Sequence, residues 1–112
     1  MKKINIIKEN RDFDRIIKNE EVYRDKFYYI YIEKKDSDEP YKFGISVSKK
    51  IGNAVIRNLY KRRIRNIIDK KVYKKGFNCV IILRKNALDV PFDKLENSLI
   101  SILNKKNLIK EN

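Results

Sequence analysis

Apolar residues recur with two distinct periods along this chain, and the switches between them mark the elements. From Asn10 to Lys18 the apolar positions Phe13, Ile16 and Ile17 share one face of a 3.6-residue period, which predicts a short helix with Asn10 as its cap. Residues 19–26 are polar around Val22 and Tyr23 and fit a short strand or a turn. Phe27 to Lys34 is aromatic and β-branched and reads as a strand, with Tyr28, Ile30 and Ile32 on one face and Tyr29 and Tyr31 on the other. A polar turn ending at Pro40 follows. Residues 42–48 then alternate again, Phe43, Ile45 and Val47 against Gly44, Ser46 and Ser48, as an antiparallel hairpin partner of the previous strand.

After a turn at residues 49–52, Asn53 should cap a helix running from about Ala54 to Lys70. Phe77 to Leu83 is apolar apart from Asn78, which predicts a central strand buried on both faces. Pro91 suits the first turn of a last helix whose core face is Phe92, Leu95, Leu99, Ile102 and Leu103. Residues 1–9 read as an extended basic arm and residues 104–112 as a polar, fraying tail. The expected architecture is an α/β two-layer sandwich: a small mixed sheet with three helices, the two later ones on one sheet face. Its 112 residues are enough for one domain.

Charge changes this picture from a fold to a partner. The chain carries 28 Lys and Arg against 15 Asp and Glu, a formal net charge of +13, while 42% hydrophobic residues still allow a real core. No apolar run reaches transmembrane length and no signal-peptide pattern opens the sequence, so the expected compartment is the cytoplasm. The single cysteine, Cys79, lies in the apolar strand and reads as a small buried hydrophobe. With no histidine, an ordinary zinc site and the commonest general base are missing, and no hydrolase constellation is visible.

The cations concentrate on the predicted second helix. At about 100° per residue, Arg57, Asn58, Lys61, Arg62 and Arg65 fall on one arc, opposite Ile56, Tyr60, Ile64 and Ile67. No acid occurs between Glu39 and Asp69. Ordinary solvated faces mix charge signs; a helix that accepts this much self-repulsion is suited to a polyanion. A membrane-surface helix would need free apolar residues that a small domain needs for its core. The second candidate surface is the sheet face carrying Tyr29, Tyr31, Gly44, Ser46 and Ser48, walled by Phe13 and Ile17 of the first helix. Aromatics, hydroxyls and a glycine suit single-stranded nucleic acid. The same pattern equally fits a half-buried face closed by that helix.

The run FGISVSKKIGNAVIRN, Phe43 to Asn58, followed by Lys61-Arg62 and Arg65, resembles the protein subunit of bacterial ribonuclease P. Asp12-Phe13, Tyr31 and the strand ending Arg84-Lys85 extend the resemblance over roughly Ile4 to Leu103. The resemblance implies a fold shared with a ribosomal protein domain, with a left-handed crossover through residues 42–83 where the general rule gives a right-handed one.

The resemblance also implies a function. The protein would assist a catalytic RNA that hydrolyses precursor tRNA to remove the 5′ leader, with Mg²⁺ held largely by that RNA. Lys49, Lys50, Asn53, Arg57, Asn58, Lys61, Arg62, Arg63 and Arg65 would bind the catalytic RNA; Phe13, Ile17, Tyr29, Tyr31, Ser46 and Ser48 would line the leader cleft. No residue of the protein would be catalytic or hold a metal. Ile17 stands where an aromatic is common and offers less stacking surface. The basic motif departs at Leu59, where an arginine is usual, and Arg63 one turn later would supply the displaced charge. A structural protein of related fold bound to ribosomal RNA, and a protein-only nuclease with an Asp/Glu metal site, are the competing readings.

Overall fold

The computed structural model describes residues 1–110. Its elements are α1 (Asn10–Asn19), β1 (Val22–Arg24), β2 (Tyr28–Lys34), β3 (Lys42–Ser46), α2 (Ala54–Ile68), β4 (Phe77–Leu83) and α3 (Phe92–Lys105), with short 3₁₀ turns at Lys3–Asn5 and Lys85–Ala87. The four strands lie in the order β1-β2-β4-β3. β4 is antiparallel to β2 over its whole length, Tyr28 opposite Leu83 through Lys34 opposite Phe77. It is parallel to β3, with Lys42 opposite Asn78 and Ser46 opposite Ile82. β1 pairs with the other side of β2.

The predicted hairpin between β2 and β3 does not form, because β4 inserts between them. β4 is the most apolar strand and is buried along nearly all its length, so it gains most from a neighbour on each side. The loop after β2 serves its entry. The Gly76 N–H donates to the Glu39 carbonyl at 2.8 Å and the Lys35 N–H to the Gly76 carbonyl at 2.9 Å. Gly76 has φ +88°, and a Cβ there would lie 3.0 Å from the Ser37 Cα, so glycine is required by both conformation and space.

The core lies between the sheet and the pair α2 and α3. Tyr28, Ile30, Phe43, Phe77, Cys79, Ile81 and Leu83 from the strands meet Tyr60, Ile64, Ile67, Leu95, Leu99, Ile102 and Leu103 from the helices. Buried hydroxyls find partners: the Tyr28 O–H donates to the Leu95 carbonyl at 2.9 Å and the Tyr73 O–H to the Ile68 carbonyl at 2.7 Å. α1 lies on the opposite face, where Ile16 packs with Ile7 and Val80. Among the described residues no helix is long and apolar enough to cross a membrane.

Both chain ends depart from expectation. The basic arm is not free. Ile7 is buried, its N–H donates to the Phe43 carbonyl at 2.9 Å, and the Asn5 side chain donates to the Tyr41 carbonyl at 2.7 Å. It covers the open edge of β3, whose unpaired backbone would otherwise be exposed. The tail is also docked as far as residue 110. Asn107 adopts φ +64°; the Leu108 N–H donates to the Leu103 carbonyl at 3.1 Å and the Asn107 N–H to the Asn104 carbonyl at 3.0 Å. This left-handed cap turns Leu108 into the core, and Ile109 pairs with Tyr73. Residues 111–112 lie outside the described residues. Smaller shifts are that Glu9, not Asn10, precedes α1 as its cap residue, and that Pro91 stands just before α3.

Candidate nucleic-acid interface

α2 begins as the sequence requires. The Asn53 side chain accepts the Ile56 N–H at 3.0 Å and satisfies one of the helix's free N-terminal donors. Tyr60, Ile64, Ile67 and Ile68 are buried, which fixes the rotation of the helix. Ile56 does not join them. It is 38% exposed, with its side chain packed over Gly52.

Asn58, Arg62 and Arg65 point to solvent, and Arg57 and Lys61 are half-buried on the flank. Lys49 and Lys50 lie exposed in the turn closed by the Ile51 N–H donating to the Ser48 carbonyl at 3.0 Å. Among the described residues none of these cations pairs with a carboxylate; the ion pairs engage the Met1 ammonium, Arg11, Arg15, Lys35 and Lys70 instead. The Arg57 Nε is buried without a hydrogen-bond partner, an unusual state for a buried donor. Arg63 turns toward α3, its guanidinium 5.8 Å from the Tyr60 ring centre and 6.0 Å from that of Phe92.

The second surface is the sheet face beneath α1. Strand register arranges it in rows. Arg24, Tyr29, Ile82 and Ser46 form one; Val22, Tyr31, Val80 and Gly44 form the next; Glu33, Asn78 and Lys42 form a third. α1 lies along the middle row. Gly44 is what lets it approach: a Cβ there would lie 2.6 Å from the Phe13 ring. The space opened by this glycine is therefore filled by Phe13 rather than left for a ligand, and Tyr31 packs into the wall with Ile16, Ile17 and Val80.

α1 thus divides the face into two grooves of different chemistry. On one flank Asn10, Phe13, Asp14 and Ile17 face Ser46, Val47 and Lys61. On the other, Asp12 and Arg15 face Lys35, Glu39, Lys42 and Asn78. In this second groove all the charges but Lys42 are paired. Arg15 pairs with Asp12 at 2.6 Å and with Glu33 at 3.0 Å, and the Asn78 side chain donates to Glu33 at 2.8 Å. Arg15 above all holds the Glu33 carboxyl below its usual range. In the first groove Lys61 and Asp14 make no ion pair among the described residues, and the row that starts at Ser46 continues through Ile82 to Tyr29.

The structure therefore brings Phe13, Ile17, Ser46 and Lys61 together, with Tyr29 further along the same row and Tyr31 under the helix. Ser48 does not join them, because β3 ends at Ser46 and Ser48 lies exposed in the following turn. Lys61 stands where the groove meets the cationic flank of α2, so the two surfaces are continuous.

Sequence reasoning left Arg84 unplaced. Its guanidinium lies 4.6 Å from the Tyr29 ring centre, on the groove face. Extending the alternation of Val80 and Ile82 by one step would have found it.

The matched features recur in known proteins. A family model described as Ribonuclease P matches residues 1–107. Among curated relatives, the ribonuclease P protein component of Bacillus velezensis is 38% identical over 112 residues, covering 99% of this chain and 97% of that one. The component from Streptococcus agalactiae is 38% identical over 111 residues, covering 97% and 100%. Among solved structures, the RNase P protein of Staphylococcus aureus superposes with a TM-score of 0.82 at 32% identity, covering 95% and 98% of the two chains. That of Thermotoga maritima gives 0.79 at 30% identity, covering 88% and 94%. Sequence and fold agree over nearly the whole length, and the chain belongs to the ribonuclease P protein component family.

Proposed function

We propose that this protein acts in the cytoplasm as the RNA-binding subunit of ribonuclease P, helping a catalytic RNA cut the 5′ leader from precursor tRNA by hydrolysis of one phosphodiester. The observation that carries this reading is the unneutralised cationic surface of α2 running into the groove beside α1. The exposed part of α2, with Asn58, Arg62 and Arg65 joined by Lys49 and Lys50, serves the catalytic RNA. Arg57, with its unpartnered Nε, sits where a phosphate oxygen would satisfy it. Asn53 spends its side chain capping α2, so it supports this surface by fixing the helix start. The groove lined by Phe13, Ile17, Ser46 and Lys61 takes the single-stranded leader, whose bases stack on apolar and aromatic walls and whose phosphates meet the lysine.

Catalysis in this reading belongs to the ribonucleoprotein. Among the described residues no three Cys, Asp or Glu side chains cluster to hold a metal ion. In this reading Mg²⁺ is held mainly by the RNA, and the protein acts on the Mg²⁺ requirement through charge. A subunit of net charge +13 screens repulsion between two RNAs that would otherwise need more cations.

Reconstitution tests the proposal. Precursor tRNA is incubated with the protein, with and without the cognate catalytic RNA, at millimolar-or-lower Mg²⁺. Cleavage at the leader junction only when both are present is the expected result. Cleavage by the protein alone would replace this reading with a protein nuclease. No cleavage in any arm, with tight binding to ribosomal RNA, would replace it with a structural ribosomal role.

A further inference from the structure

Successive side chains of β1 point to opposite faces of the sheet. Arg24, opposite Tyr29, lies on the α1 face; Tyr23, opposite Ile30, lies on the face covered by α2 and α3. On that second face, at the β1 edge, Tyr23, Ile30 and Ile32 line a groove with Lys34 and Lys106. Its volume, about 340 Å³, far exceeds the roughly 30 Å³ share of one water. The Lys106 ammonium lies 4.5 Å from the Tyr23 ring centre and the Lys105 ammonium 5.5 Å from it. Lys106 stands on fixed backbone. It follows the last residue of α3, its N–H donates to the Ile102 carbonyl at 2.9 Å, and the left-handed Asn107 beyond it turns Leu108 into the core.

Lys34, Lys105 and Lys106 make no ion pair among the described residues, although the groove has a carboxylate of its own in Glu21. Lys34 and Lys105 are exposed and Lys106 is half-buried. A helix C-terminus attracts a lysine through its dipole, and an aromatic ring attracts an ammonium to its face. Two ammonium groups gathered on one ring also repel each other. An anion between them, with Lys34 along the same groove, turns that repulsion into attraction. The ammonium groups occupy the ring on which a base would stack. The anion that fits is therefore a backbone phosphate, bound without regard to sequence.

We infer that the groove at the β1 edge, with Lys34, Lys105 and Lys106, is a second anchoring site for the catalytic RNA, taking a backbone phosphate apart from those met by α2. The inference rests on the reading that α2 binds that RNA. α3 lies beside α2 over the same sheet face, and the groove beside α1 lies on the other. The longest dimension of the molecule is 38 Å, so a large folded RNA seated on α2 reaches this edge, whereas a leader beside α1 would have to wrap around the sheet. Two anchors on separate elements fix the orientation of the protein on the RNA, which one helix alone leaves free to pivot.

The test measures binding of the full chain to its cognate catalytic RNA over a range of salt concentrations, without precursor tRNA. A second arm measures binding of precursor tRNA to the assembled holoenzyme. The double variant Lys105→Gln with Lys106→Gln should weaken binding to the catalytic RNA by roughly threefold to tenfold and lower the salt slope by about 0.7–0.9, one phosphate contact. Lys105→Arg with Lys106→Arg, which keeps both charges, should retain the wild-type slope. Lys34→Gln, on a different element, should weaken the same binding and serves if the α3 variant fails to fold. A Gln variant that melts earlier but binds the catalytic RNA with unchanged affinity and slope leaves these lysines as helix-end stabilisers and overturns the inference. A loss confined to the precursor-tRNA arm overturns it in favour of a substrate contact. A wild type that does not bind the catalytic RNA at all overturns the reading of α2 itself.

Discussion

Gly44 shows how one residue sets the site. Its missing side chain lets the Phe13 ring seat on the sheet, and through that ring α1 takes the line that separates a groove laced with ion pairs from one that holds Lys61 and Asp14 without any. Gly44→Ala would place a methyl 2.6 Å from the ring tip and 3.2 Å from the Ile7 Cβ. We predict a loss of about 1–3 kcal/mol in urea unfolding, largely relieved in a Phe13→Leu background, where the clashing ring is gone. Equal losses in both backgrounds would show that Phe13 is not the cause. This detail was only half legible. Alternation put Gly44 on the right face, but period two cannot say whether a glycine's space is filled by a helix or left for a ligand. Ser48 failed for a related reason: its alternation continues past the last ladder bond, and only the turn at Lys49–Lys50 ends the strand.

At the scale of elements, helices were more legible than sheet order. Helical spacing reports directly which side is buried, and the buried sets of α2 and α3 follow it, except that Ile56 is exposed and Phe92 half-buried in the first turns of the two helices. Sheet order depends on which strand gains most from two neighbours. That is a global competition, and so the hairpin predicted between β2 and β3 gives way to β4. The docked ends were illegible for the same kind of reason: Ile7 and Leu108 sit in short apolar pairs, Ile6-Ile7 and Leu108-Ile109, within polar segments too short to show a period.

α2 also carries the departure at Leu59. Arg63 lies on the flank facing α3, within 5.8 Å of Tyr60 and 6.0 Å of Phe92. It therefore has a packing role as well as a charge to offer. If it supplies the charge displaced from position 59, Arg63→Ala should weaken holoenzyme assembly and lower the salt slope of binding by about 0.7–0.9, the value of one phosphate contact. Thermal stability would also fall slightly as the ring contacts are lost. Unchanged affinity and slope, with only stability reduced, would leave Arg63 as a packing residue.

The molecule as a whole presents two surfaces proposed to take RNA that join at Lys61. The α2 surface was visible in the run from Lys42 to Arg65 as cations without acids. The groove needed the sheet register, because its far end, Tyr29 with Arg84, comes from strands distant in sequence. Both surfaces bear on the central claim that a small cationic protein lets a catalytic RNA hold its substrate with fewer metal ions. The direct measurement is a Mg²⁺ titration of precursor-tRNA cleavage by the cognate catalytic RNA, with and without the protein at matched ionic strength. The account predicts that the protein shifts the midpoint to lower Mg²⁺; superimposable titrations would contradict it.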